Sequence, residues 1–432
     1  MTSDDRFERR LGAGIADLAT PRFPDYFDDV LAEIDRTRQR PAWTFPGRWI
    51  PMIDIAQGRA IAPRAPLRAL AIVVAVLLML AALAAAYVGS QRRLPAPFGV
   101  ARNGVIAHAD AAGGIYVTDP LTGGTRRIVA DTTGAPLFSL DGTKVAFERR
   151  VKTAVDVYVA NADGSGELKL TKTPIDSFAA AAWSPDGKML AIGYSVGPED
   201  DQQGRIDLVR TDGSGATHLD LGLDSVWGAK WRPPDGTDLL VTGAKDGRDA
   251  LMLVRPDGTN LRSLGAPGAT DAGYGVWAAT WSPDGSRIAY TIYEDSGSSI
   301  HVINADGSGH VALPKPDDVR DQDPTWSPDG KHVAVFRSRD LPDNTIDGSV
   351  AILPADGSGA GIEAVRTNST DASGGNITGG LNWTTTWSPD GSQVIATLPI
   401  IQKVVAIDAA TGQATSLNWK TTEVPDWQRL AP

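Results

Sequence analysis

The chain has no cysteine among its 432 residues. Disulfide bonds, thiol catalysis and cysteine-ligated metals are therefore excluded. Positive charge is also in deficit, because 41 lysines and arginines face 52 aspartates and glutamates, for a net charge of −11. Nucleic acid is excluded as a partner, since binding phosphate requires a basic face. The five histidines have no metal-ligand spacing and the acidic clusters lack the spacing of a calcium loop, so neither a metal nor a cofactor is predicted.

What the sequence has instead is a repeated pentapeptide, Trp-Ser-Pro-Asp-Gly. It occurs unchanged at 183–187, 281–285, 326–330 and 387–391, and degenerate copies stand at 138–142 and 231–236. The leading aromatic residue recurs about every 45 to 60 residues, a period typical of propellers and solenoid arrays. Proline ends a strand and Asp-Gly forms the turn after it, so the motif is interpreted as structural. Its aspartates are not predicted to be catalytic: Asp186, Asp284, Asp329 and Asp390.

Each unit between two motifs holds four short strands. After Gly285, strand-forming residues occur at 287–293, 300–303 and 311–313, separated by a polar loop and an Asp-Gly-Ser-Gly turn. With the strand that ends in Trp281, this makes four strands and no helical period, which predicts an all-β fold of four-stranded antiparallel propeller blades. The leading aromatics are large enough to fill the space between blades. They are Phe138, Trp183, Trp231, Trp281, Trp326, Trp387 and Trp427.

The two ends of the repeat region complete one another. The last three strands of a blade are predicted at 104–109, 115–118 and 126–129. The missing first strand of this blade is predicted around Trp427, at the other end of the chain. Pairing the termini in one blade closes the ring and removes its open edges. Six motif-led units and this composite predict seven blades over 104–432. Six blades is the alternative, if the weak Phe138 unit is not complete.

The motif repeats resemble the propeller repeats of the TolB family and of WD-like propellers that carry Trp-Ser-Pro-Asp-Gly. The resemblance covers about residues 100–430, with six copies in register. It implies a propeller that works outside the cytoplasmic membrane. Such propellers serve many roles, so the resemblance by itself implies the fold and not the activity.

The segment before the repeats predicts a membrane anchor. Residues 69–88 contain no charged residue and no polar one except Tyr87, as expected of a transmembrane helix. A linker then covers 89–103. Arginines are equally frequent on the two sides of the helix, so their count does not choose an orientation. The TolB resemblance favours a cytoplasmic N-terminus and an extracytoplasmic propeller, which makes the expected localisation a single-pass protein of the cell membrane.

Residues 1–68 predict two short amphipathic helices followed by an aromatic linker. Apolar residues recur at helical spacing over 7–18 and 27–34. Two such helices bury little surface against each other, so they require a cytoplasmic protein partner, a second copy or the membrane surface. The layout is similar to that of single-pass anti-sigma regulators, which implies a sigma factor as one possible partner.

The long, variable connections of the blades are where a binding site is expected, because variable loops on a rigid scaffold usually carry function. Trp227, Trp277 and Trp383 stand four residues before a motif aromatic, and Phe178 stands five before. Even spacing places each of these tryptophans on the same side of its strand as the motif aromatic. Acids lie just upstream of the motifs: Asp131, Asp176, Asp224, Asp271 and Asp323.

A mouth ringed by indoles and carboxylates would suit a sugar, a cationic peptide or a divalent ion. The alternative is that the indoles pack under the loops and the acids cap turns. Gly193-Tyr-Ser195-Val-Gly197 matches a hydrolase motif, but it leaves a strand without the required helix. The leading hypothesis is therefore a membrane-anchored propeller that binds or senses a protein, small molecule or glycan without catalysis. The rivals are a propeller enzyme acting on envelope glycan or peptide, and a passive scaffold.

Overall fold

A computed structural model describes residues 99–430 of the chain, apart from gaps inside this range. The gaps are residues 111–112, 133, 153, 173–174, 176, 198–202, 266–274, 295–296, 343–345, 370–384, 399–402, 418, 420 and 422–423. The predicted cytoplasmic segment 1–68, the predicted transmembrane helix 69–88 and most of the linker lie outside the described residues. Within the described residues, no helix has the length and apolar character needed to cross a membrane.

The described residues form 28 strands. The first eleven are β1 (Arg102–Ala109), β2 (Ile115–Thr118), β3 (Thr125–Val129), β4 (Leu137–Phe138), β5 (Lys144–Val151), β6 (Ala154–Asn161), β7 (Leu168–Lys169), β8 (Ser177–Trp183), β9 (Met189–Val196), β10 (Gln203–Arg210) and β11 (Ala216–Leu223). The next eight are β12 (Ser225–Trp231), β13 (Leu239–Lys245), β14 (Arg248–Val254), β15 (Arg262–Gly265), β16 (Val276–Trp281), β17 (Arg287–Glu294), β18 (Gly297–Asn304) and β19 (Val311–Ala312). The last nine are β20 (Val319–Trp326), β21 (His332–Asp340), β22 (Ile346–Pro354), β23 (Ile362–Ser369), β24 (Thr385–Trp387), β25 (Gln393–Leu398), β26 (Lys403–Asp408), β27 (Ala414–Leu417) and β28 (Asp426–Leu430).

These strands pair into seven antiparallel sheets of four strands each. Blade 1 has the order β28-β1-β2-β3, and blades 2 to 7 take β4–β7, β8–β11, β12–β15, β16–β19, β20–β23 and β24–β27 in turn. The prediction of seven blades is confirmed, and the six-blade alternative is wrong because the Phe138 unit forms a complete sheet. Blade 1 joins the last strand of the described chain to the first, as the terminus-to-terminus closure requires.

The core lies between blades. Each of seven hydrophobic clusters contains residues from two neighbouring blades, and the seventh joins Ile395 and Val404 of blade 7 to Ile106 and Trp427 of blade 1. The ring is therefore closed by packing as well as by strand pairing. Each cluster holds one of the seven leading aromatics, with Trp387 partly buried and the others buried.

Indole hydrogen bonds link the first strands around the ring. The Nε1 of each of five motif tryptophans donates to the backbone carbonyl just before the preceding motif aromatic. The pairs are Trp183 to Leu137 at 3.0 Å, Trp231 to Ala182 at 3.2 Å, Trp281 to Lys230 at 3.3 Å, Trp326 to Thr280 at 3.2 Å and Trp387 to Thr325 at 3.0 Å. The first strands of successive blades are therefore neighbours and surround the axis of the ring.

The motif turn is built by its serine and its aspartate. In the 281–285 copy, the Ser282 hydroxyl donates to Asp284 Oδ1 at 2.6 Å and accepts the backbone N–H of Arg287 at 2.9 Å. Gly285 takes a φ of +66°. A Cβ there would lie 1.9 Å from the Pro233 carbonyl oxygen of the neighbouring blade. The turn thus requires glycine both for its backbone conformation and for the close approach of the next blade.

Candidate functional site

The two faces of the ring differ in their connections. In blades 2 to 7 a motif turn joins the first and second strands, and in every blade a turn that contains aspartate and glycine joins the third and fourth, so both kinds of turn lie on one face. The connections between the second and third strands, and those between blades, lie on the opposite face, which we call the loop face. The starts of the first strands therefore open onto the loop face beside the axis.

Two of the predicted tryptophans meet at this opening. Trp227, near the start of β12, and Trp277, near the start of β16, stack with ring centroids 4.9 Å apart and an interplanar angle of 9°. Tyr293, near the end of β17, meets Trp277 edge-on at 6.5 Å and 84°. Trp277 keeps 44% of its surface exposed, the only large aromatic among the exposed hydrophobic residues that the structure describes. The stacked pair is therefore a platform open to solvent.

A β-bulge in the first strand sets the direction of these indoles. The register of β16 on β17 shifts between Trp277 and Thr280, and Ala278 there has a φ of +48°. The burial pattern changes phase at the bulge, because Trp281, Ala279 and Val276 are buried while Trp277 is exposed. The expectation that even spacing places Trp277 on the same side as Trp281 is therefore wrong. An extra residue turns the strand over, as bulges do.

Asp323 lies in the equivalent bulge of blade 6, with a φ of +53°. Its N–H donates to the Thr291 hydroxyl at 3.2 Å, and Thr291 is the cross-strand partner of Trp277. Burial raises the pKa of the Asp323 carboxyl to about 6, although the ammonium of Lys230 acts in the opposite direction. Asp323 is therefore a half-buried carboxylate next to the aromatic platform.

Lys230 and Tyr293 are the two remaining residues of the site, and the charge of Asp323 acts on both. Lys230 is exposed, but the protein atoms around its ammonium lower its pKa by desolvation, while the charge of Asp323 raises it. Burial raises the pKa of Tyr293 to about 12, with the Asp323 charge adding to the effect. We call Trp227, Trp277, Tyr293, Asp323 and Lys230 the mouth cluster.

Two other predicted site residues, Asp224 and Asp131, lie outside the mouth cluster. The Asp224 carboxylate accepts the N–H of Gly247 at 2.8 Å and so caps the β13–β14 turn. Asp131 is exposed, and its carbonyl oxygen accepts from Arg149 Nε at 3.2 Å. Further candidates cannot be assigned a place: Asp176, Asp271 and Trp383 lie outside the described residues, and Phe178 lies on β8 with its side chain outside the description.

Sequence reasoning missed Tyr293 and Lys230. Each lies near an end of its strand, with no motif to mark it, and the packing of neighbouring blades brings it to the mouth. Arg337 and Asp321 form a buried bidentate ion pair at 2.7 and 2.8 Å. Ser195 lies within β9, not at a strand–helix elbow. Among the described residues, no group of three or more His, Asp or Glu is arranged to hold a metal ion.

The described part of the chain is thus a closed seven-bladed β-propeller whose loop face carries an aromatic mouth. No protein-family model matches the chain. Over 96 residues the chain is 38% identical to the Tol-Pal system protein TolB of Anaeromyxobacter dehalogenans. The matched stretch is 22% of this chain and 20% of that protein. An uncharacterized protein of Agrobacterium fabrum is 26% identical over 212 residues, or 46% of this chain and 68% of that protein. The chain therefore matches about a fifth of the length of the TolB relative.

Two solved structures are similar to part of this chain. The crystal structure of TolB from Acinetobacter baumannii has a TM-score of 0.45 and 14% identity, and the match covers 74% of this chain and 81% of that chain. An oligogalacturonate lyase in complex with manganese has a TM-score of 0.49 and 15% identity, over 66% of this chain and 79% of that chain.

Proposed function

We propose that this protein is a membrane-anchored propeller that binds a protein segment at the mouth cluster without catalysis. The observation that carries the proposal is the exposed Trp277, stacked on Trp227 and supported by Tyr293. A rigid, half-exposed aromatic platform beside a charged group is typical of binding hot spots. The partial similarity to TolB, a component of the Tol-Pal system, supports a protein partner over a small metabolite.

Site-specific crosslinking tests the location of the site. The photoreactive residue p-benzoylphenylalanine replaces Glu294, which follows Tyr293 at the loop-face end of β17, in the full-length chain expressed in its native host. The mouth cluster stays intact in this variant. The matched control carries the same residue at Leu121, which is 94% exposed on the opposite face. We expect a discrete crosslinked product at position 294 that weakens when Trp277→Ala is added. The same products at both positions, or none at 294, would refute binding at the mouth.

We further propose that residues 69–88 anchor the chain and that the propeller is extracytoplasmic. The absence of cysteine allows a clean test, because Leu121→Cys introduces a unique thiol at an exposed turn. A membrane-impermeant maleimide applied to intact cells should label this thiol. Labelling that requires cell lysis would reverse the orientation.

In this arrangement residues 1–68 are proposed to contact a cytoplasmic protein, in an anti-sigma-like relay. Their two apolar stripes, over 7–18 and 27–34, are too short to bury each other. Affinity purification of the full-length chain, compared with a chain lacking residues 1–68, tests the relay. A sigma factor recovered only with the full-length chain supports it, and equal recovery from both chains refutes it.

A second candidate is an enzyme with its site in the mouth, acting on envelope glycan or peptide. The observation in its favour is Asp323, whose pKa is raised to about 6, within the range useful for general acid–base catalysis. Assays against envelope glycans and peptides with wild type and Asp323→Asn separate the candidates. Turnover by wild type that the variant loses would establish the enzyme and overturn the binding proposal.

A further inference from the structure

The charges and aromatic rings of the mouth cluster indicate which chemical class of ligand it binds. Trp277 stacks on Trp227 of the neighbouring blade and meets Tyr293 of its own blade edge-on, so two blades supply three aromatic rings. The face of an aromatic ring carries negative potential, so it attracts cations and disfavours anions. The exposed part of Trp277 belongs to this platform, and a ligand entering from the loop face can meet it.

The carboxylate of Asp323 supplies a negative charge that can act as the counter-ion of such a cation. No ion pair within 4 Å joins Asp323 to Lys230 or to any other basic side chain in the part of the chain that the structure describes. A half-buried carboxylate without an ion pair has lost part of its hydration, which destabilises its charged form. A bound cation compensates for that lost hydration. The nearby acid Asp321 is already neutralised by its bidentate pair with Arg337.

Lys230 is the one feature of the mouth cluster that favours an anion. It stands one residue before Trp231, toward the motif-turn end of β12, whereas Trp227 and Trp277 stand four residues before their motifs at the loop face. Asp323 stands three residues before Trp326, so the backbone order along the first strands, from the loop face inward, is aromatic platform, Asp323 and then Lys230. A ligand from the loop face therefore meets the rings and the carboxylate before Lys230.

We propose that the mouth cluster binds a cationic side chain of the protein partner, a guanidinium that stacks on Trp277 with Asp323 as its counter-ion. A planar guanidinium stacks on indole and forms two parallel hydrogen bonds to a carboxylate, which suits both parts of the site. This inference rests on the proposed function, because it names the chemistry of the segment bound at that mouth.

Fluorine NMR of the full-length chain in detergent tests the proposal. The chain has 12 tryptophans, so 5-fluorotryptophan labels both mouth indoles, and the buried motif indoles serve as internal controls. Trp227→Phe and Trp277→Phe assign the two mouth signals. The probes are the peptides Gly-Arg-Gly, Gly-Lys-Gly and Gly-citrulline-Gly, and citrulline is the neutral isostere of arginine.

We expect Gly-Arg-Gly to move the two mouth signals and to leave the motif signals in place. The citrulline peptide should bind about ten-fold more weakly, because it has lost the charge that Asp323 recognises. Asp323→Asn should weaken Gly-Arg-Gly binding by a similar factor, and Lys230→Met should strengthen it. The matched control Asp224→Asn removes a carboxylate outside the mouth cluster and should leave the affinity unchanged.

Equal binding of arginine and citrulline peptides, or weaker binding in Lys230→Met, would overturn the proposal. So would an absence of any shift at peptide concentrations well above the millimolar range expected of a single side chain. Tighter binding of Gly-Lys-Gly would retain a cation but refute the guanidinium. A crosslink at position 294 that persists unchanged in Asp323→Asn would keep the proposed function while refuting this inference, so the two failures are distinguishable.

Discussion

Trp427 lies opposite Ile106 in the antiparallel ladder that joins β28 to β1. Both side chains are buried, with 3% of their surface exposed, and they pack together against Ile395 and Val404 of blade 7. One pair of residues thus takes part in two closures, because the same contact completes blade 1 and the last interface of the ring. A break at this seam would expose the edges of two strands and one hydrophobic interface.

The indole hydrogen bonds give the first prediction. Trp281→Phe removes the bond from Nε1 to the Lys230 carbonyl together with part of a buried ring. Trp427→Phe is the matched control, because its Nε1 is buried and has no hydrogen-bond partner among the described residues. Both changes leave a cavity between blades and should destabilise, but Trp281→Phe should cost about 1 kcal/mol more because it also breaks a hydrogen bond. Urea unfolding of the two variants measures the difference, and equal losses would contradict the assignment.

The seam gives a second prediction through two glycines with similar backbone conformations. Gly142 has a φ of +70° and Gly187 has +66°, so alanine is strained at both positions. At Gly142, a Cβ would lie 2.1 Å from the Arg429 carbonyl oxygen of β28, whereas at Gly187 its nearest neighbour is 3.9 Å away. Gly142→Ala should therefore destabilise by the strain, about 1 kcal/mol, and by the clash in addition.

Thermal unfolding of the two variants checks this comparison. We expect a clearly lower midpoint for Gly142→Ala than for Gly187→Ala. The same midpoint in both would mean that the last strand does not pack on the 138–142 turn.

Most of this fold could be predicted from the sequence, because the repeated turn depends only on its own residues. Proline, aspartate and glycine determine the motif turn locally, so blade number, strand order and the role of Trp427 could be read from spacing. The bulges at Trp277 and Asp323 could not, because a one-residue shift of register depends on how the first strand meets its neighbours. The same holds for Lys230, whose charge acts on Asp323 only because blades 4 to 6 curve around one axis.

A buried acid at the seam gives a prediction for pH. Asp426 is half-buried as a residue, but its carboxylate lies inside the seam, where Oδ2 accepts the Phe138 N–H at 2.6 Å. Burial raises the pKa of this carboxyl to about 7, against the effects of its backbone hydrogen bonds and of Arg429. The native state therefore holds the proton more tightly than the unfolded chain, and this group's contribution to stability falls as pH rises from about 4 to about 7.

The variant Asp426→Asn keeps an oxygen for the Phe138 N–H but cannot ionise. Relative to wild type, it should become progressively more stable as pH rises from 5 to 8. Unfolding midpoints of both proteins across this range measure the difference. A difference that does not change with pH, or that changes in the opposite direction, would show that the carboxylate is not buried at the seam.

Closure of the ring is the claim on which the mouth cluster and both proposals depend. Arg102 and Leu430 are cross-strand partners at the seam, and the chain has no other cysteine to interfere with a crosslink. In Arg102→Cys/Leu430→Cys, oxidation should give a nearly complete intramolecular disulfide, identified by mass spectrometry of proteolytic fragments. The control Val151→Cys/Leu430→Cys places one thiol at the loop-face end of β5 in blade 2 and should form none. Formation of the 102–430 disulfide no more readily than the control would contradict the closed propeller.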